Sequence, residues 1–162
     1  MSQEKAPVTA AVRVLRQHRV AYTEHLYDYV EHGGTAESSR QLGVPEHAVV
    51  KTLVMQDQDR QPLIVLMHGD RQVSTRNLAR QTGRRHIEPC APEVANRHSG
   101  YLVGGTSPLG TRKPMPVYIE RSVLELDRIY LNGGKRGFLI GLDPQALLPI
   151  LNPIAVDVAI AD

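Results

Sequence analysis

The sequence predicts a mixed α/β (α+β) fold: a curled or barrel-like, largely antiparallel sheet with helices packed outside it. Three observations carry this. Segments with strand character outnumber helical ones, many neighbouring strands are joined by short turns, and the helices are inserted between strands. A doubly wound parallel sheet fits this order less well.

The elements follow in turn. Pro7 suits a first helical position, and Val8, Ala11, Val12 and Leu15 then make one apolar face on a helix to about His18. Val20 to Tyr29 reads as a strand, broken by Gly33-Gly34, after which Thr35 is the expected N-cap of a short helix ending at Gly43. Pro45 opens a brief helical turn. Val49–Gln56 and Pro62–His68 are apolar runs of strand length around a polar connection, and predict an antiparallel hairpin in the core. Ser74 caps a helix to about Thr82 that stops at Gly83, and Pro92 starts another toward Ser99. Tyr101–Val103 is expected as a short strand leading into Gly104-Gly105-Thr106-Ser107-Pro108. Strands are then expected at Val117–Glu120, Arg128–Asn132 and Phe138–Leu142, with a short helical connection at Ser122–Leu126 and a glycine turn at Gly133–Gly137. Asp143-Pro144 is a helix start, Asn152-Pro153 its end, and Ala155–Ala161 alternates as a last strand. With no repeat, low-complexity tract or linker, residues 1–162 are expected to form a single domain.

A chain of 162 residues buries about 70% of its unfolded surface, enough for a core without staples. Its one cysteine, Cys90, excludes an internal disulfide and a cysteine metal site. The scattered histidines form no ligand motif, so neither metal nor cofactor is expected. No signal-peptide layout and no run of 18 apolar residues is visible, which predicts a cytoplasmic protein without a membrane partner. Net charge is only +2, but Arg76, Arg80, Arg84 and Arg85 crowd one region and Lys135-Arg136 another. With no Trp, one Phe and six Tyr, the composition argues against a sheet that stacks many unpaired bases; any nucleic-acid contact would run through phosphates and one end. A monomer is the default expectation.

Two features point to chemistry. Adjacent glycines at 104 and 105 permit positive φ and close approach of a partner, and successive N–H groups in such a turn can converge on an anion or a polarised carbonyl. The loop lacks a P-loop ending, a dinucleotide spacing and a nucleophile elbow. Ser107 precedes Pro108 with no local histidine and acid, so it is not read as a nucleophile. Lys51, inside an apolar strand, is either a snorkelling edge residue or a cation fixed beside a glycine turn.

Three segments together, Val50-Lys51-Thr52-Leu53-Val54, GYLVGGTSPLG over Gly100–Gly110 and YLNGGKRG over Tyr130–Gly137, resemble the YbaK/ProX family of trans-acting aminoacyl-tRNA deacylases, which includes EbsC-like proteins. The resemblance covers nearly the whole chain. It implies a fold like the editing domain of prolyl-tRNA synthetases, and hydrolysis of the ester of a mischarged tRNA, most typically Cys-tRNA(Pro). Another amino acid preference (Ala, Ser or other), or an EbsC-like nucleic-acid-binding or regulatory protein without chemistry, are the alternatives. It implies catalytic roles for Lys51, matching the family's essential lysine, and for Gly104. Tyr27, Thr52, Gly105, Thr106, Ser107 and Asn132 would bind substrate. Arg76, Arg80, Lys135 and Arg136 are the candidate tRNA contacts, and prolyl-tRNA synthetase is a candidate partner. Thr106 stands where isoleucine is common in the family, Asn132 where serine is found, and Gly34-Thr35 where cysteine-directed members carry an aromatic residue beside a glycine.

Overall fold

The computed structural model describes residues 5–161. Its framework is the hairpin of β2 (Val49–Asp57) and β3 (Pro62–His68), registered from Val50 opposite His68 to Gln56 opposite Pro62. β3 is buried along its whole length, which explains its unbroken apolar run. Leu63, Val65 and Met67 enter a core beneath α3 (Thr75–Thr82), while Ile64 and Leu66 enter a second, larger core beneath α1 (Ala10–Gln17).

Seven strands form one path. β1 (Thr23–Leu26) pairs with β8 (Phe138–Leu142), β8 with β7 (Ile129–Lys135), β7 with β2, and β3 continues to β6 (Val117–Glu120) and β9 (Ile154–Val156). The β7–β2, β3–β6 and β6–β9 pairs are parallel and the others antiparallel. Strands β1 and β9 are not joined, so the sheet is curled and open rather than a barrel. Outside the path, β5 (Ile87–Pro89) pairs with the end of β2, and β4 (Arg71–Val73) pairs with β10 (Ala159–Ala161).

One consequence of this topology positions the site. The edge of β2 opposite β3 is shared: β7 occupies it at Val49 and Val50, and β5 at Met55 to Asp57. Lys51, Thr52 and Leu53 have no strand neighbour on that edge, and the sheet is split there.

Several expectations are corrected. Tyr101–Val103 is not a strand: the Tyr101 hydroxyl donates to the Leu109 carbonyl at 2.6 Å and its ring is buried in the larger core, so the segment is a loop closed on itself. α1 begins at Ala10, because Thr9 is its cap, accepting from Val12 N at 3.2 Å while donating to the Gly133 carbonyl. Thr35 lies inside α2 (Gly34–Leu42), with Gly33 at the cap position. Its hydroxyl instead reaches Glu46 at 2.7 Å and the Gly69 carbonyl at 3.1 Å. The last strand is split into β9 and β10 because the buried carboxylate of Glu120 accepts from Val158 N and Ala159 N at 2.8 and 2.9 Å, turning the chain at Asp157. The helix expected at Pro92 is present as α4 (Pro92–Ser99), and the one at Pro144 is a 3-10 turn running into α5 (Leu148–Leu151).

Candidate active site

The split in the sheet opens into a cleft with two chambers. The first, about 450 Å³, is bounded by Tyr27, Tyr29, Val50 and Leu139 and roofed by the start of α2. The second, about 380 Å³, extends toward Gln72, Val73, Thr75, Pro89 and Ala95. Lys51, Thr52, Gly104 and Asn132 line both, and therefore mark the junction.

Alternation in β2 sends Lys51 and Thr52 to opposite faces. A single cleft reaches both only because the edge between them is unpaired. The Lys51 ammonium donates to the main-chain carbonyl of Arg71, a neutral acceptor, and no carboxylate pairs with it among the described residues. Its charge is held in place without being neutralised. The turn that presents this carbonyl is itself fixed. Asp70 bonds to His47 at 2.8 Å and to Arg71 at 3.1 Å, while Gly69 is so tightly enclosed that a Cβ there would lie 2.7 Å from the Glu46 and Val49 carbonyls. Burial pushes the Asp70 carboxyl up, but the hydrogen bond and charge of His47, with the charge of Arg71, outweigh it and hold the group below the ordinary carboxylate range.

Two residues of the cleft wall carry a buried side-chain oxygen with no partner among the described residues: Thr52 Oγ1 and Asn132 Oδ1. An unsatisfied buried acceptor is costly and uncommon, and here both belong to side chains at the junction. They fit a ligand that brings hydrogen-bond donors.

Gly104 has φ +98°, a backbone that disfavours any side chain, and lies beneath the Tyr29 hydroxyl and the Arg136 guanidinium. Arg136 bridges the two lips of the first chamber, donating to the Val103 carbonyl at 3.0 Å and lying 5.0 Å above the Tyr29 ring. Gly105 serves packing instead. A Cβ there would come within 2.7 Å of Lys135 and Arg136 main chain, so this glycine lets the loop lie against the end of β7.

Of the residues expected from sequence, Lys51, Gly104, Tyr27, Thr52 and Asn132 meet at the first chamber, and Thr106 lines the second. Gly105 and Ser107 do not line either chamber: Ser107 is fully buried, with its Oγ accepting from Leu109 N at 3.1 Å to shape the turn. Arg136 is at the mouth, whereas Lys135 is exposed on the outer side. Arg76 and Arg80 lie on α3, beyond the second chamber. Arg84, in step with them by spacing, is beyond the end of the helix and is held by Asp57 at 3.2 Å and the Tyr118 hydroxyl at 2.7 Å. Sequence reasoning missed Arg71, Tyr29 and Val103. Arg71 and Val103 act through main-chain carbonyls, which leave no side-chain signal.

No nucleophilic side chain is activated here. Burial pushes the Cys90 thiol, in the wall of the second chamber, above its ordinary range. Burial likewise raises Tyr27, against the Gly137 contact that lowers it. The site can hold, orient and polarise a substrate. No helix among the described residues is long and apolar enough to cross a membrane.

Comparison with known proteins gives the family and the fold. Residues 31–150 match the aminoacyl-tRNA editing domain. The chain is 31% identical over 145 residues, covering 89% of it and 88% of the relative, to EbsC of Enterococcus faecalis, named as a candidate Cys-tRNA(Pro)/Cys-tRNA(Cys) deacylase. It is 29% identical over 105 residues, 64% of this chain and 17% of the relative, to a proline–tRNA ligase of Streptococcus equi subsp. equi. A crystal structure described as a candidate trans-editing enzyme for prolyl-tRNA synthetase superposes with a TM-score of 0.81 at 21% identity, covering 98% of this chain and all of that one, and shares its fold. With the matched domain spanning the split strand, most of the cleft lining and the loop that carries Gly104, the chain belongs to the aminoacyl-tRNA editing domain family.

Proposed function

We propose that the protein is a trans-editing deacylase that hydrolyses the ester between a wrong amino acid and the 3′-terminal adenosine of a tRNA, with Cys-tRNA(Pro) the foremost substrate. One observation carries the reading: Lys51, an ammonium with no counter-carboxylate among the described residues, shares a cleft junction with Gly104 and with two side chains, Thr52 and Asn132, whose buried oxygens have no partner there.

In this reading the ester lies at the junction. Lys51 and the Gly104 loop stabilise negative charge on the carbonyl oxygen or adjoining ribose, while Thr52 Oγ1 and Asn132 Oδ1 accept from the α-ammonium. Tyr27 and Thr106 border the substrate. Gly105 contributes by setting the loop. Water, or the thiol of a cysteinyl substrate, supplies the nucleophile; in the latter case the sulfur attacks its own carbonyl carbon, the tRNA 3′-oxygen leaves with the thiol proton, and water then opens the cyclic thioester to free cysteine. Arg76, Arg80, Lys135 and Arg136 supply cations for the tRNA phosphates. The similarity to part of a proline–tRNA ligase makes prolyl-tRNA synthetase the candidate partner, and the protein acts in the cytoplasm.

The test is ester release from tRNAs charged with Cys, Ala and Ser, against correctly charged Pro-tRNA(Pro). Release from Cys-tRNA(Pro) above the others supports the full reading, and release from Ala- or Ser-charged tRNA moves the preference within the same chemistry. Tight tRNA binding with no release from any of them would establish a non-catalytic binding protein instead.

A further inference from the structure

We propose that a groove beside α3 tracks the phosphates of the unpaired 3′ end of the tRNA, so that the terminal nucleoside occupies the second chamber and the acyl side chain the first. The inference rests on the deacylase reading and gives each half of the substrate its own chamber.

The groove, about 340 Å³, is lined by Thr75, Arg76, Arg80, Arg84, Arg85 and His86, with no carboxylate among the described residues of its wall. Arg76, Arg80 and Arg85 are exposed. Among the described residues the guanidinium groups of Arg76 and Arg85 have no partner, and that of Arg80 only the neutral amide of Asn77 at 2.6 Å. Arg84 is the exception, its charge met by Asp57. Three cations are thus left for an anionic ligand, and phosphate oxygens suit their planar donor sets.

Continuity assigns the direction. Thr75 lines both the groove and the second chamber, and Lys51, Thr52, Gly104 and Asn132 line both the second chamber and the first. A strand lying on the arginines therefore meets the second chamber before the ester junction. Pro89 and Ala95 give that chamber apolar surface for a base, and in this order the first chamber, bordered by α2, takes what projects beyond the ester. The other basic turn is less free: Arg136 is engaged by Val103 and Tyr29, and Lys135 shares its pocket with Asp28.

The experiment uses deacylated proline tRNA, intact or trimmed of its unpaired 3′ nucleotides, and an intact tRNA ending in 8-azidoadenosine. Wild-type protein should bind intact tRNA more tightly than trimmed. Arg76→Ser with Arg80→Ser should weaken intact tRNA about tenfold at low salt and flatten its log–log salt slope by about 1.4, two single-strand contacts' worth, while leaving trimmed tRNA unaffected. The photoreactive base should label peptides containing Gln72–Thr75 or Pro89–Ala95. Equal losses on both tRNAs, no loss on either, no association of wild-type protein at low salt, or labelling at Tyr27–Ser38 would each overturn the proposal. No acyl group is present in these probes. Absent ester release with the expected binding and labelling therefore counts against the deacylase reading, whereas equal losses, no loss or misplaced labelling in a protein that releases the ester count against the strand path alone.

Discussion

The ammonium of Lys51 is anchored by the main-chain carbonyl of Arg71, twenty residues further along the chain. A carboxylate in that position would hold the amine as firmly but cancel the field it projects into the cleft. A carbonyl fixes direction and leaves a full charge, and the turn bearing it is clamped by Asp70 and His47.

Lys51→Ala is expected to lower deacylation by about 100- to 1000-fold, the range for losing one charge-stabilising donor. The fold should persist, because the main structural loss is one hydrogen bond to the Arg71 carbonyl, about 1 kcal/mol. Single-turnover ester release and a urea unfolding curve on the same sample separate the two effects. A folded variant with wild-type release would remove Lys51 from the chemistry.

Gly104 and Gly105 should fail differently. Alanine at 105 meets Lys135 and Arg136 main chain, which cannot rotate away, and overpacking of this kind costs about 1 to 3 kcal/mol. Gly105→Ala should therefore lower the urea midpoint and shift the loop. Alanine at 104 meets the movable ends of Tyr29 and Arg136 and is strained mainly by its φ of +98°. Comparable unfolding midpoints for Gly105→Ala and wild type would contradict the packing role.

The hairpin was legible because β2 and β3 are long apolar runs whose burial is set by their own sequence. The split beside Lys51 was not, since it depends on β7 and β5 stopping short of each other, and β5 is only three residues long. Resemblance, rather than spacing, brought Lys51 and Gly104 together in the sequence reading. Tyr101-Leu102-Val103 misled because its apolar residues serve two ends: Tyr101 plugs the core, while Leu102 and Val103 are 60% and 43% exposed. Arg84 follows Arg80 by four residues but lies past Gly83, where the helix has ended, so spacing alone does not place it on the same face. The break at Asp157 is dictated by Glu120 on another strand, and a linear pattern carries no trace of it.

Thr52→Val tests the unsatisfied hydroxyl. Removing a buried polar atom that has no partner should leave stability unchanged or raise it by about 1 kcal/mol, against the usual sense of core substitutions. Substrate binding should weaken, seen as a higher KM with a smaller change in kcat, because the ligand loses an acceptor. A destabilised Thr52→Val protein with unaltered KM would mean that the hydroxyl has a structural partner in solution.

His68 makes stability depend on pH. Its Nδ1 contacts the His47 carbonyl and its Nε2 the Ser122 hydroxyl, both at 2.7 Å, and the His47 ring stacks on it at 3.7 Å, with Asp70 and Glu120 nearby. Burial is the largest influence and lowers its pKa below the ordinary 6.5. The unfolded chain then binds a proton at a higher pH than the folded one, so stability rises with pH between the folded value and 6.5, is complete above it, and is lost as pH falls. His25 and His98, also lowered chiefly by burial, act in the same sense. Asp57, Asp70 and Glu120, held below their ordinary values, lose their contribution only in stronger acid. Urea midpoints should accordingly fall between about pH 7 and pH 5, the histidine range. His68→Gln, which keeps hydrogen-bonding capacity without titrating, should make that fall shallower, and an unchanged slope would exclude His68 as its source.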